Sequence, residues 1–168
     1  TTYEELPRHQ LLEEVEVLAL FFGAEWDAHS VAFTSTAERA YEGITQEHGR
    51  KFEIVYVSSD NDQDAFDHVY SAMGWLALPF DAASHKQRLE EHFKISGLPA
   101  VIMLRRDPLQ GGAFVMLPNG TEGCTLLARP ISQLASEFPW SAEERIAQPL
   151  HTQLHSIEQT LSLIVLCE

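Results

Sequence analysis

The sequence predicts an α/β domain, a central mixed β-sheet flanked by helices, and three observations carry that prediction. Two strongly apolar runs, Val15–Phe22 and Phe52–Val57, enclose a stretch of helical period. Gly97–Leu98–Pro99 leads into two further β-rich runs. The 168 residues, 45% hydrophobic and 21% charged, have the composition of one soluble domain with its own core. At this length folding buries roughly two-thirds of the unfolded chain's surface, so neither disulfides nor a structural metal is required.

Val15 to Phe22 is almost continuously apolar and closes at Gly23–Ala24, as expected of a central strand buried on both faces. After Glu25–Trp26–Asp27–Ala28–His29–Ser30, the stretch Val31 to His48 carries Phe33, Ala37, Ala40, Tyr41 and Ile44 at helical spacing. Phe52–Val57 makes a second strand, and Ser58–Asp62 supplies turn and N-cap residues for a helix from Gln63 to Met73. This strand–helix–strand unit crosses over right-handed, with both strands in one sheet. Trp75–Asp81 is broken by Pro79 and reads as a packed loop, followed by a helix over Ser84–Phe93. Ala100–Leu104 and Ala113–Leu117 flank an Asp107–Gly112 turn as a hairpin, and a last short helix covers Ile131–Ser136.

Residues 1–145 form the α/β domain on this reading, and 146–168 form a C-terminal amphipathic extension. In that extension Leu150, Leu154, Ile157, Leu161 and Ile164 recur at spacings of four and three. Such a seam must be buried on its own domain, on a second copy as a homodimer, or on another protein, at roughly 1.5–3 kcal/mol per side chain.

The net charge of −14 repels phosphate backbones and anionic lipid surfaces, which argues against nucleic-acid and membrane partners. Cys124 and Cys167 fit neither a secreted disulfide framework nor a zinc site, and the first residues carry no basic flank or apolar stretch. A cytoplasmic location is expected, with an organellar one open only where a targeting segment has been removed. No cofactor is expected. His151 and His155 fall four apart on the extension without further ligands, so no metal site is assigned.

The run Phe21–Phe22–Gly23–Ala24–Glu25–Trp26, then Phe33–Thr34, Phe52–Glu53–Ile54–Val55, Trp75–Leu76–Ala77–Leu78–Pro79–Phe80–Asp81 and Phe138–Pro139–Trp140 resembles the tryparedoxin and nucleoredoxin group of the thioredoxin superfamily. The resemblance spans Val15 to Trp140 in order and implies a thioredoxin-like fold. It also implies that Leu98 and a cis Pro99 line a substrate groove. Where the group carries Trp-Cys-Pro-Pro-Cys-Arg, this chain has Trp26–Asp27–Ala28–His29–Ser30–Val31, and Ser35 replaces a helix proline. Asp and Ser side chains cannot form or break a sulfur–sulfur bond.

Asp27, His29 and Ser30 are the residue types of a hydrolytic triad, but three side chains within four residues of a helix start diverge. Asp27 is expected to cap the helix, with His29 and Ser30 solvated. Trp26, Trp75 and Trp140 are expected to be mainly core. The degenerate site therefore implies a redox-inactive, non-enzymatic protein, a pseudoenzyme serving as a subunit of a larger assembly. Its interaction residues would be Trp26, Leu98, Pro99 and the seam from Leu150 to Ile164. The alternative is a thiol–disulfide oxidoreductase using Cys124, which Gly120–Gly123 places in a loop-like, exposed setting.

Overall fold

A computed structural model of the chain describes residues 12 and 14–140. The predicted extension 146–168, with Leu150, Leu154, Ile157, Leu161 and Ile164, and also His151, His155 and Cys167, lies outside the described residues.

The elements run β1 (Val17–Gly23), α1 (Ala28–Glu42), β2 (Phe52–Ser58), α2 (Gln63–Tyr70), β3 (Leu76–Ala77), α3 (Ala83–Phe93), β4 (Ala100–Asp107), β5 (Ala113–Met116), α4 (Gly123–Leu127) and α5 (Ile131–Glu137). The sheet order is β3-β2-β1-β4-β5. Every residue of β1 is buried, which is why its sequence lacks the apolar–polar alternation of a half-exposed strand. It pairs parallel with β2, Ala19 opposite Ile54, and antiparallel with β4, Leu20 opposite Ile102. The mixed sheet is as predicted.

Side chains alternate between two apolar layers. Phe21, Ile54, Tyr56 and Met103 meet Ala37 and Ala40 of α1, Phe66 of α2, Leu127 of α4 and Leu134 of α5. On the other face Leu20, Val55 and Ile102 pack with Leu89 of α3.

Four local expectations change. The stretch read as one helix to His48 is α1 followed by a π-helical turn, Gly43–Glu47, and α1 itself starts at Ala28. α2 ends at Tyr70 rather than Met73. The Trp75–Asp81 segment contains a short strand, because Leu76 and Ala77 find the free edge of β2, parallel to Val55 and Tyr56; Pro79 stops it at two residues. Finally, Gly123 to Leu127, read as loop, is helical. At Gly123 an added Cβ would stand 2.5 Å from the Val101 carbonyl oxygen, so glycine lets α4 lie directly on β4.

Candidate functional site

The site lies where β1, β2 and β4 turn. Beyond Gly23 the chain enters α1 through Glu25, Trp26 and Asp27, and this loop is fastened to the turn after β2. The Ser59 N–H donates to the Gly23 carbonyl at 2.8 Å. The Trp26 indole N–H donates to the Ser59 carbonyl at 2.9 Å, and the Glu25 N–H donates to Asp60 Oδ1 at 2.6 Å. Asp60 is buried, and its Oδ2 accepts the Ser58 hydroxyl at 2.6 Å and the Tyr56 hydroxyl at 3.3 Å. Burial and the Asp60 carboxylate push the Tyr56 phenol well above its usual range. From α2, His68 Nδ1 meets Glu25 Oε1.

Asp27 caps α1 as expected: Oδ2 accepts the Ser30 N–H at 2.8 Å and the Ser30 hydroxyl at 2.6 Å. The Ser30 hydrogen bonds, chiefly that of the side chain, hold the Asp27 carboxyl below its ordinary value. His29, 87% exposed, lies 3.4 Å from the other Asp27 oxygen. The carboxylate thus stands between serine and histidine, and the Ser30 hydroxyl is spent on the acid; no base reaches it, so Asp27, Ala28, His29 and Ser30 are not a hydrolytic relay. Ser30 is buried rather than solvated, because its hydroxyl turns inward onto the cap.

The tryptophans divide. Trp75 is core, whereas Trp26 is 61% exposed and, with Val31, leaves an apolar patch at the start of α1. Trp26 is out of the core because its indole N–H is tied to the exposed turn after β2. Trp140 is partly buried and donates its indole N–H to the Leu134 carbonyl at 2.9 Å.

Leu98–Pro99 is cis, as the resemblance implied, and so is Phe138–Pro139. The register pairs Phe22 with Ala100, which brings Pro99 beside the end of β1. Cys124, the free thiol among the described residues, reaches this corner from α4. Its Sγ donates to the Pro99 carbonyl at 3.8 Å. The residue is half-buried on a helix rather than exposed in a loop, because α4 lies against β4, and burial pushes the thiol upward from its ordinary value.

Asp60, Glu25 and His68 are the residues that sequence reasoning missed. Ser58 to Asp62 reads as turn and cap, and Asp62 does cap α2 by accepting the Ala65 N–H at 2.9 Å. Asp60 differs from Asp62 only in pointing back under Tyr56, which no local pattern signals. Among the described residues no group of three or more His, Cys, Asp or Glu side chains is placed to hold a metal ion. A cavity of about 380 Å³ opens between α4 and α5, with Arg129 and Glu137 paired at 3.1 Å on its wall, and it does not include Cys124.

The sequence matches the thioredoxin-like family over residues 15–108. The chain belongs to the thioredoxin-like family. Among curated proteins it is 36% identical over 91 residues to probable nucleoredoxin 2 of Oryza sativa subsp. japonica, covering 54% of this chain and 23% of that protein. It is 31% identical over 124 residues to nucleoredoxin of Bos taurus, covering 70% of this chain and 28% of that protein. Of solved structures, tryparedoxin from Trypanosoma brucei superposes with a TM-score of 0.65 at 28% identity, over 80% of this chain and 85% of that one. This thioredoxin-like chain spans about a quarter of the length of the curated relatives it matches.

The kinship corrects the functional expectation. Nucleoredoxins and tryparedoxins are thiol–disulfide oxidoreductases, and relation to them overturns the reading of a redox-inactive, non-enzymatic subunit, along with the pseudoenzyme description. The oxidoreductase alternative is the better supported of the two. The thioredoxin-like fold related to both groups, without a paired-cysteine motif, stands as predicted.

Proposed function

We propose that this chain takes part in thiol–disulfide exchange of the nucleoredoxin and tryparedoxin kind, with Cys124 as the attacking sulfur. The observation that carries the reading is the Cys124 Sγ contact with the Pro99 carbonyl, which sets the thiol against the cis-proline loop. Asp27 and Ser30 offer no sulfur, so among the described residues the exchange falls to Cys124.

In the first step the Cys124 thiolate attacks one sulfur of a substrate disulfide. A mixed disulfide forms, the old S–S bond breaks, and the other sulfur leaves as a thiolate that takes up a proton. One thiol of a small or protein dithiol then attacks the Cys124 sulfur of the mixed disulfide and releases the substrate's remaining thiolate, and the dithiol's other thiol closes a disulfide on the first and releases Cys124 reduced. Two electrons pass from that thiol pair to the substrate disulfide. Protein disulfides are the proposed substrates, with the exposed Trp26–Val31 patch at the start of α1 as an apolar surface for them.

The test is dithiol-driven reduction of insulin by the full chain, with mass spectrometry of the mixed disulfide trapped on the protein. Turnover above background that disappears in Cys124→Ser supports the assignment. Turnover that survives in Cys124→Ser, or its absence from the unaltered chain, overturns it.

A further inference from the structure

β3 is only two residues long and covers β2 at Val55 and Tyr56, leaving the outer edge of β2 open toward its start. In a parallel ladder, alternate residues direct their N–H and C=O groups to the same side. Tyr56 faces outward, since its carbonyl accepts the Leu78 N–H at 2.8 Å, and Ile54 therefore faces outward as well. A longer β3 would accept the Ile54 N–H. Here the carboxylate of Glu53 takes that place, Oε1 accepting the Ile54 N–H at 2.9 Å and Oε2 the Tyr41 hydroxyl at 3.3 Å.

The Leu76 N–H of β3 also bonds this carboxyl. The titratable group that faces it from α1 is the Tyr41 phenol; β2 and β3 present backbone N–H groups. The Tyr41 ring in turn stands edge-on to buried Trp75, at 5.8 Å between centroids, directly before β3. One carboxyl thus joins α1, β2 and β3 at a sheet edge that has little else to close it.

We propose that the Glu53 carboxyl is a proton-operated latch that sets how firmly β3 and Trp75 hold to the edge of β2. Protonated, the group suits its apolar surroundings and the edge stays closed. Ionised, it gains hydration when the edge opens, so deprotonation favours opening. Burial raises Glu53 to about 7 in the closed edge, whereas an opened edge returns it to the ordinary glutamate range. Opening therefore increases as pH rises from that range through about 7, then levels off. The latch is independent of the thiol chemistry.

Amide hydrogen exchange on the full chain tests this, with opening constants corrected for base catalysis and compared with the central-strand amide of Leu20. Between about pH 5.5 and 7.5 the opening constant at Ile54 and Leu76 should rise about twentyfold over that at Leu20. Glu53→Gln keeps an acceptor for the Ile54 N–H and should flatten the dependence. Tyr41→Phe removes a hydrogen bond to the ionised form and should raise the Glu53 midpoint, read by carboxyl carbon NMR. A Glu53 midpoint below about 5.5, a flat profile in the unaltered chain, or an unchanged slope in Glu53→Gln would each overturn the latch.

Discussion

The first turn of α1 and the corner where α4 meets Pro99 lie at the same end of the sheet, yet their chemistry is opposite. In the first turn Asp27 and Ser30 satisfy each other, and Asp60 locks the loop beneath them. The Ser30 N–H and hydroxyl both find their acceptor in Asp27, and the two side chains hold each other in place. At the corner a half-buried sulfur has a weak contact to the Pro99 carbonyl and a further one to the Val101 backbone. Position and reactivity have separated: the turn that aligns with the relatives' paired cysteines now caps a helix, and the free thiol among the described residues lies on α4 against Pro99. Kinship relates this protein to oxidoreductases, but the atoms that could exchange a disulfide must be found in its own structure.

The largest expected effect comes from returning sulfur to the first turn. Asp27 and Ser30 side chains already touch at 2.6 Å, so Asp27→Cys with Ser30→Cys places two thiols within bonding reach. A cysteine at this helix start should titrate near 7, which raises the thiolate fraction at neutral pH by at least about fifteenfold over a cysteine above 8.5. Insulin reduction should increase accordingly. An inactive double variant that still forms the new disulfide would show that the turn has lost more than its sulfur. Second in size is the pH profile of Cys124 alone. Its raised pKa means that log alkylation rate against pH should keep climbing beyond the point where an ordinary cysteine levels off. Iodoacetamide labelling followed by peptide mass spectrometry measures this, and a plateau near pH 8 would show a more exposed thiol than the structure has.

How legible the two regions were differs for a physical reason. β1, α1, β2 and the hairpin announce themselves because burial imposes a period, and the Asp27 cap follows from a polar residue just before a helix. β3 was hidden because two residues pairing on a free edge need no period, and Pro79 argued the other way. Cys124 was misplaced because Gly120 and Gly123 just before it suggest a loop, whereas Gly123 serves close packing on Val101. Ser30 and Asp60 look like surface polar residues until the chain folds them against partners; Asp60 and the Glu25 N–H it binds are 35 residues apart. Function was misread for a different reason. Absent cysteines at one turn say what that turn cannot do, and do not exclude sulfur arriving from another element.

Asp60 gives the third prediction, on stability. Asp60→Ala would leave the Glu25 N–H and the Tyr56 hydroxyl without their acceptor in a buried setting, at a cost of about 2–4 kcal/mol in denaturant unfolding. Asp60→Asn keeps an oxygen for the Glu25 N–H and should recover part of the loss. If both variants unfold like the unaltered chain, the fastening between the two turns contributes nothing.

The smallest effect concerns Asp27, and its sign follows from linkage. The carboxyl is held below its ordinary value in the folded chain, chiefly by the Ser30 side chain, so the folded state binds its proton more weakly than the unfolded state does. The cap's contribution is therefore complete above the unfolded value and is lost as pH falls through the folded one. Asp27→Ala should lower the thermal midpoint slightly at neutral pH, and the two proteins should converge in acid below the usual carboxylate range. Ser30→Ala removes the hydroxyl donor, the larger cause of the shift, but leaves the Ser30 position's backbone N–H, so it should shift the point of convergence upward and keep only the smaller part of the neutral-pH difference. Equal midpoints for Asp27→Ala and the unaltered chain at neutral pH would mean that solvent replaces the cap without loss. The first turn would then be free to change its residues at little cost in stability, the condition under which an active-site turn can lose its sulfur while the fold persists.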